Sequence, residues 1–551
     1  MKKYFAVILA ALMLMSMFAG CGGKTEPAAN NPSNNPAGNP PAGTSTAGSA
    51  LPAKNADGKV VIRIGQTELG RLIEGVTPFE NYPACTVIYD QIFRLDPWAK
   101  APVSDILKEW YWEDDHTFVE VLRDDVVFSN GDKANAEDLL FSYTNHAERG
   151  SSYTNDMLLN FDKSVIRDEY TLALYVEEPN LKIFRQNISL YNKDWCEAQT
   201  GWDSEAFYDP VGSGPYYVDE FHYGDYLVLK PRDDYWNKDF EKPIVDEFYI
   251  KQYSDASAML MDLEMGNIDL CAAEAADYSR FAKDPNKDTY AYSLLPCPTG
   301  AIEYISFSFR DFDGFWANED LRRAIAYGVD LEALGVYING DLNKPTTSFA
   351  IDTSPYYFDA GHYEYNPEKA QEYLKKAGVD PKTVTVHSDI MDTATYKNYA
   401  QGMEYYLKEM GFQVDFKVAD IPASLASWTS KDTNSFNLFF NASGNTAYDV
   451  CSSMLNANKP DGADFQYVYD KEFSERFTKC LDPMISDEER VQLNHEFQQY
   501  IYEHCLAIPI AEQTKVFAYN KNIFTDKIID AISWSGYYQI IGCCQASQWE
   551  N

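Results

Sequence analysis

Short stretches of period-two alternation and longer stretches of 3.6-residue periodicity follow one another along most of this chain. Val60 to Ile64 (VVIRI) alternates as a first strand. Gln66 to Tyr82 reads as a polar loop broken by Gly70, Gly75 and Pro78, and Cys85 to Phe93 as a short helix. Phe118 to Leu122 is a strand, Asn130-Gly131 a turn, and Asn135 the cap of a helix carrying Leu139, Leu140, Tyr143 and Ala147 on one side. Lys163 to Val176 and Leu181 to Ile188 continue the α/β pattern. Gly212 and Gly214 then bracket Ser213 ahead of Pro215, which predicts a tight turn with an extended exit. Tyr216 to Val218 open a strand, Gly224-Asp225 marks a hairpin turn, and Tyr226 to Leu229 return. Ile244 to Ile250 is a further strand, and Ala256 to Glu264 a helix ended by Gly266.

The later half carries clearer punctuation. Pro296 to Phe309 passes into an alternating strand, IEYISFSF, and Asn318 caps a helix holding Leu321, Ala324, Ile325 and Gly328. Asn366 caps a helix with Pro367 in its first position and Gly378 at its end. Val384 and Val386 lie in a strand, Thr395 to Met410 is a helix stopped by Gly411, and Phe412 to Val418 is again a strand. That succession implies a right-handed crossover with parallel pairing. Glu488 to Glu503 is helical, and Leu506 to Ile510 is a returning strand. The fold class is α/β.

The N-terminus changes the picture. Lys2-Lys3 precede an apolar run from Tyr4 to Phe18, too short to span a bilayer and charged like a signal peptide. Phe18-Ala19-Gly20-Cys21 resembles a bacterial lipobox, in which Cys21 is lipidated and becomes the new N-terminus; the other reading is a secreted protein cut near Gly20. Residues 22 to 57, rich in Asn, Pro, Ala, Gly, Ser and Thr, cannot bury enough apolar surface to order themselves and read as a tether, reaching on the order of 30 Å as a flexible coil.

The formal net charge is −38, from 84 acidic and 46 basic residues, which argues against nucleic-acid or anionic-membrane binding. Beyond Cys21 there are nine further cysteines with no CxxC; disulfides and buried thiols both remain open. No cofactor or metal site is expected. His495-Glu496 begins HExxH, but Gln499 holds the second ligand position. Asp284 to Asp288 begins like a calcium loop, but Thr289 replaces its Gly and Leu295 its final Glu. The GSG of residues 212–214 lacks a following Lys-Ser/Thr pair and leads into a strand, so it is not a phosphate loop. No GxSxG elbow occurs.

Pro210 to Tyr216, Asp234 to Trp236 and Gly266 to Asp269 resemble a pattern of the family 5 extracellular solute-binding proteins, receptors of peptide and nickel ABC importers. The pattern is Pro-Val-Gly-Thr-Gly-Pro-Tyr, then x-x-Asp-Tyr-Trp, then Gly-x-x-Asp. ILKEWYWEDDHTFVEVLRDDVVFSNGDKANAEDLLFSY and NEDLRRAIAYGVDLEAL resemble two more of its segments, with Asp125 where the family has Gly. The resemblance implies a two-lobed periplasmic-binding-protein-like (type II) fold with an extra subdomain in the first lobe and a two-strand hinge. On this reading residues 58–84, 206–308 and 508–551 form lobe I, 85–205 its extra subdomain and 309–507 lobe II, with crossings near 305–310 and 506–511.

It further implies a monomeric receptor that takes a peptide or other small-molecule ligand, delivers it to ABC transporter permease subunits and is held at the outer face of the membrane by a lipid on Cys21. The ligand is expected between Asn441, Ser443, Asn445, Thr446 and Asp449 of lobe II and Trp534, Tyr537 and Tyr538 of lobe I, with the Gln66–Tyr82 loop as a candidate wall. Peptide binders of the family hold the peptide's amino group with an Asp about three residues after a Gly-Trp pair. Here Ser443 stands at the Trp position and Thr446 at the Asp position, with Asp449 the nearest carboxylate. A receptor of the same fold for a non-peptide solute, and a surface-anchored hydrolase using paired carboxylates, are the alternatives.

Overall fold

The structure is a computed structural model that describes residues 52–67, 69–73, 82–95, 102–148, 157–177, 181–184, 188–307, 315–419, 423–424, 436–440, 471–533 and 540–550. Its backbone is a nine-stranded mixed sheet. In order across the sheet the strands are Phe436–Phe440, Tyr292–Phe307, Ala507–Asn520, Leu270–Ala273, Val61–Gln66, Glu247–Gln252, Tyr226–Pro231 and Tyr216–His222, with Lys344–Pro345 added beside Ala507–Asn520. Val61–Gln66 runs parallel to both its neighbours, and the remaining pairings are antiparallel. The hairpin turns at Gly224, whose φ of 77° suits a residue without a Cβ.

One apolar core lies against the first part of this sheet. Ile62, Ile64, Phe248, Ile250, Leu270, Phe517 and Tyr519 meet Cys85 and Ile88 of the helix Tyr82–Ile88, and Ile528, Ile529 and Ile532 of the helix Asp526–Ile532. A separate antiparallel sheet, Leu107–Asp114, Thr117–Leu122, Thr171–Tyr175 and Val165–Asp168 in that order, packs on the helix Ala136–Glu148 around its own core. That helix buries Ala136, Asp138, Leu139, Ser142, Tyr143, Asn145 and His146, a broader stripe than expected and one that includes polar residues, with Leu140 and Ala147 only partly covered. Asp125 does not adopt a positive φ and is clasped by Arg123 at 2.9 Å, so nothing there requires glycine.

The second half is helical around a parallel pair, Thr385–Met391 beside Gln413–Ala419, joined by the helix Ala394–Met410. The helix Pro367–Ala377 starts and stops where its sequence signals lie, with Asn366 accepting from the Lys369 N–H and Gly378 at φ 72°. Arg322, buried in the helix Glu319–Gly328, donates to the carbonyls of Trp316, His504 and Cys505 at 2.7–2.8 Å. It thereby takes the two carbonyls that follow the helix Asp487–Glu503, while Arg323 takes that of Glu503 and the N–H groups of His504, Cys505 and Leu506 take those of Tyr500, Tyr502 and Ile501.

The eight cysteines among the described residues beyond Cys21 (all but Cys451) are free and buried, which favours the thiol reading for them. No described helix is long and apolar enough to cross a membrane.

Candidate functional site

Two long strands, Tyr292–Phe307 and Ala507–Asn520, pair along most of their length and pass from one core to the other. Leu294, Cys297, Val516, Phe517 and Tyr519 belong to the first cores, whereas Ile302, Tyr304, Ile305, Ile508, Ile510 and Ala511 belong to the second. The passage therefore lies between Cys297 and Ile302 on one strand and between Ala511 and Val516 on the other. The ladder is irregular there, with register shifts between Pro298 and Ile302 and between Glu303 and Tyr304. Gly300 has φ 78°. Thr299 Oγ1 donates to Gln513 Oε1 at 2.8 Å and accepts from the Ala301 N–H. Bulges of this kind bend a strand and sharpen its twist, so the connection between the cores is a kinked ribbon.

The predicted ligand residues Asn441, Ser443, Asn445, Thr446, Asp449, Trp534, Tyr537 and Tyr538 lie outside the described residues, as does Cys21. Their described flanks are informative. Phe440, which immediately precedes the 441–449 run, pairs with Glu303. Ser533, which immediately precedes Trp534, is buried close to Cys297, and its hydroxyl donates to the Asp530 carbonyl at 3.1 Å. Both predicted segments thus leave the described structure at the two ends of the strand passage. Of the predicted loop wall, Leu69, Leu72 and Ile73 turn into the first core instead, and Leu72 exchanges hydrogen bonds with Phe207 and Tyr89. Residues 74–81 lie outside the described residues.

The passage carries two buried glutamates in contrasting settings. Glu512 accepts from Lys344 Nζ at 2.8 Å and from the Asp352 N–H at 2.9 Å. Glu303 is 1% exposed, and its Oε2 accepts from Asn339 Nδ2 at 2.6 Å. Burial pushes the Glu303 carboxyl up to about 7, against the pull of that one hydrogen bond.

The glycine-rich segment works structurally. Neither Gly212 nor Gly214 has a positive φ. Each instead lies against the end of the helix Tyr82–Ile88, where a Cβ on Gly212 would sit 2.1 Å from the Ile88 carbonyl oxygen and one on Gly214 2.4 Å from that of Val87. The Gly214 N–H caps Ile88 at 2.8 Å. The tight turn expected from Gly-Ser-Gly is therefore a close approach of two backbones. Ser213 Oγ accepts from the Asp90 N–H, and the Asp90 carboxylate accepts from Tyr235 Oη and Trp236 Nε1, both at 2.8 Å. Burial, with repulsion from Asp105, pushes Asp90 up to about 7 despite these bonds. Asp90 was not singled out from the sequence, although it is the one charge in the apolar run from Cys85 to Phe93. Asp269 is likewise buried, gripped by Arg63 at 2.7 and 2.8 Å and by Asn520 at 3.0 Å. The motif residues knit the first half together.

Among the described residues no group of His, Cys, Asp and Glu could hold a metal ion. His495 stacks on Phe358 and His504 pairs with Glu319. A groove of about 390 Å³ runs along the helices Lys471–Leu481 and Asp487–Glu503, lined by Phe358, Arg476, His495 and Tyr500. None of its lining residues belongs to the strand passage.

The family model described as "Bacterial extracellular solute-binding proteins, family 5 Middle" matches residues 101–468. The protein named "Probable ABC transporter periplasmic-binding protein SapA" of Escherichia coli (strain K12) is 24% identical over 365 residues, covering 61% of this chain and 64% of its own length. The "Peptide transport periplasmic protein SapA" of Salmonella typhimurium (strain LT2) is 23% identical over 483 residues, covering 79% of this chain and 83% of its own. In three dimensions the chain superposes with a TM-score of 0.70 and 19% identity on the ABC transporter-associated periplasmic binding protein DppA of Helicobacter pylori, solved with the peptide STSA. That superposition covers 84% of this chain and 94% of the other, and it shows that the fold is that of a two-lobed periplasmic binding protein.

Proposed function

The chain belongs to the family 5 bacterial extracellular solute-binding proteins, and from that premise we propose that it is the extracytoplasmic receptor of an ABC importer, binding a peptide between two halves that close over it. The observation that carries this reading is the convergence of Phe440 and Ser533 on the two ends of the strand passage. On this reading the loop after Phe440 and the Trp534–Tyr538 segment line one crevice, where rings contact varied side chains and backbone groups bind the peptide main chain. The action is binding and release, and the partner is a permease that accepts the closed form.

Mass spectrometry of ligand released from the undenatured protein, followed by calorimetry with the recovered compound, tests this. Recovery of a peptide is the expected result. Recovery of a sugar or other non-peptide, with no heat from di- to pentapeptides, would sink the peptide assignment while leaving the receptor.

Lys2-Lys3, the apolar run and Phe18 to Cys21 support a receptor held at the outer face of the membrane by a lipid on Cys21. Changing Cys21→Ala is expected to release the protein or block its processing. A correctly cleaved Cys21→Ala chain that still fractionates with membranes would refute the anchor.

A further inference from the structure

We infer that the turn Gly340–Leu342 and the helix Ala275–Lys283 form a latch behind the strand passage, which opposes closure and so sets the apparent affinity for cargo. This rests on the receptor reading above, in which the two halves close over what they bind.

Two features of the molecule lead to it. The first is the alternation of the ribbon. Leu295 and Cys297 of one strand and Phe517 of the other face the helix Asp526–Ile532, from whose end the Trp534–Tyr538 segment departs. Leu294, Val516 and Ala518 face the opposite way, onto the helices Ala256–Glu264 and Ala275–Lys283. The second feature is a crossing contact on that opposite side. The turn moves with the second half, because Leu334 and Ile338 just before it lie in the second core and Lys344 just after it pairs with Glu512. Leu342 nevertheless packs into the first half, on the same cluster as Tyr278 and Phe281 of the helix. Asp341 accepts from Lys283 Nζ at 2.5 Å. Gly340, at φ 57°, brings the turn down beside Ser279, whose Oγ is the nearest atom a Cβ there would meet, at 4.0 Å. The ion pair is exposed on both sides and weak by itself, so the half-buried Leu342 carries more of the contact. Contacts on opposite sides of a pivot trade against each other. Rotation that narrows the crevice draws the turn off the helix, and loss of this contact is part of what closure costs.

Small-angle X-ray scattering of the ligand-free full chain tests this. Asp341→Lys combined with Leu342→Ala sets two like charges together and removes the apolar contact, and it is expected to reduce the ligand-free radius of gyration. Asp341→Lys combined with Lys283→Asp restores the ion pair with its charges exchanged and should keep the unaltered radius. Glu404→Lys makes the same change of charge at the exposed Glu404–Lys408 pair, away from the contact, and should keep it too. In calorimetry with trialanine the Asp341→Lys/Leu342→Ala chain should bind about threefold to tenfold more tightly, because apparent affinity follows the fraction of chain free to close. A radius equal to that of the unaltered chain, or a reduction that Glu404→Lys reproduces, would overturn the latch. The receptor reading would stand, since the identity of the recovered cargo decides it separately. Weaker trialanine binding by the Asp341→Lys/Leu342→Ala chain would also overturn the latch, and if trialanine gives no heat with either chain the scattering alone decides.

Discussion

Gly212→Ala is expected to destabilise the protein by about 3 kcal/mol or more, the upper end of what overpacking costs. The new Cβ would be placed 2.1 Å from the Ile88 carbonyl oxygen. That oxygen cannot swing aside freely, because it accepts the Gly214 N–H at 2.8 Å and closes the end of the helix Tyr82–Ile88. Movement of Gly212 is no easier, since its own carbonyl accepts from the Ser129 N–H at 2.8 Å. Any shift also disturbs Ser213 and the buried Asp90, and with it the hydrogen bonds of Tyr235 and Trp236. Gly224→Ala is the comparison: φ there is 77° but nothing lies within 4 Å, so only the conformational cost of about 1–2 kcal/mol applies. Urea denaturation of both variants ranks them. A Gly212→Ala chain no less stable than Gly224→Ala would show that the close approach is not what this motif provides.

Stability is expected to fall as pH rises from about 5 to 8, and Glu120 should account for a separable share. Burial pushes its carboxyl up to about 8, only partly countered by Tyr143 Oη at 2.6 Å. In the unfolded chain the group titrates near the ordinary glutamate value of about 4.3. Between those two values the folded state keeps a proton that the unfolded state has released. The stability this provides is present in full below the unfolded value and lost as pH climbs through the folded one. Each unit of pH inside that window is worth up to about 1.4 kcal/mol. Glu120→Gln keeps the shape without the titration, so the variant should gain on the unaltered protein steadily across the window. Asp90 and Glu303, both raised to about 7, contribute to the slope of both proteins alike and cancel in the difference. Parallel stability curves for the two proteins would exclude Glu120 from the pH dependence.

What was legible from residues alone was local punctuation and fold class. Asn366, Pro367 and Gly378 bound their helix where predicted, Ala256–Glu264 matches residue for residue, and the parallel pairing of Thr385–Met391 with Gln413–Ala419 follows from strand, helix and strand lengths. Boundaries set by distant partners were not legible. The run from Cys85 to Phe93 is helical only to Ile88, because the backbone of Asp90 is taken by Ser213 and its carboxylate by Tyr235 and Trp236, more than a hundred residues away. The long strands were read too short. Pro296 and Pro298 break the strand signal, yet both lie in the ladder opposite Val516 and Thr514; on the partner, Gln513, Thr514 and Lys515 interrupt the apolar pattern. Glu303 stayed hidden in IEYISFSF, where strand alternation makes a lone glutamate look solvent-facing. Burial between packed elements is a tertiary property that period-two patterning does not encode.

Closure over cargo is the central claim, and small-angle X-ray scattering of the protein with and without a saturating amount of the recovered ligand tests it most directly. The kinked ribbon at Cys297–Ile302 and Ala511–Val516 is the proposed pivot, and binding should shift the population toward a compact form with a smaller radius of gyration. An unchanged radius, with binding confirmed independently by calorimetry, would contradict the account.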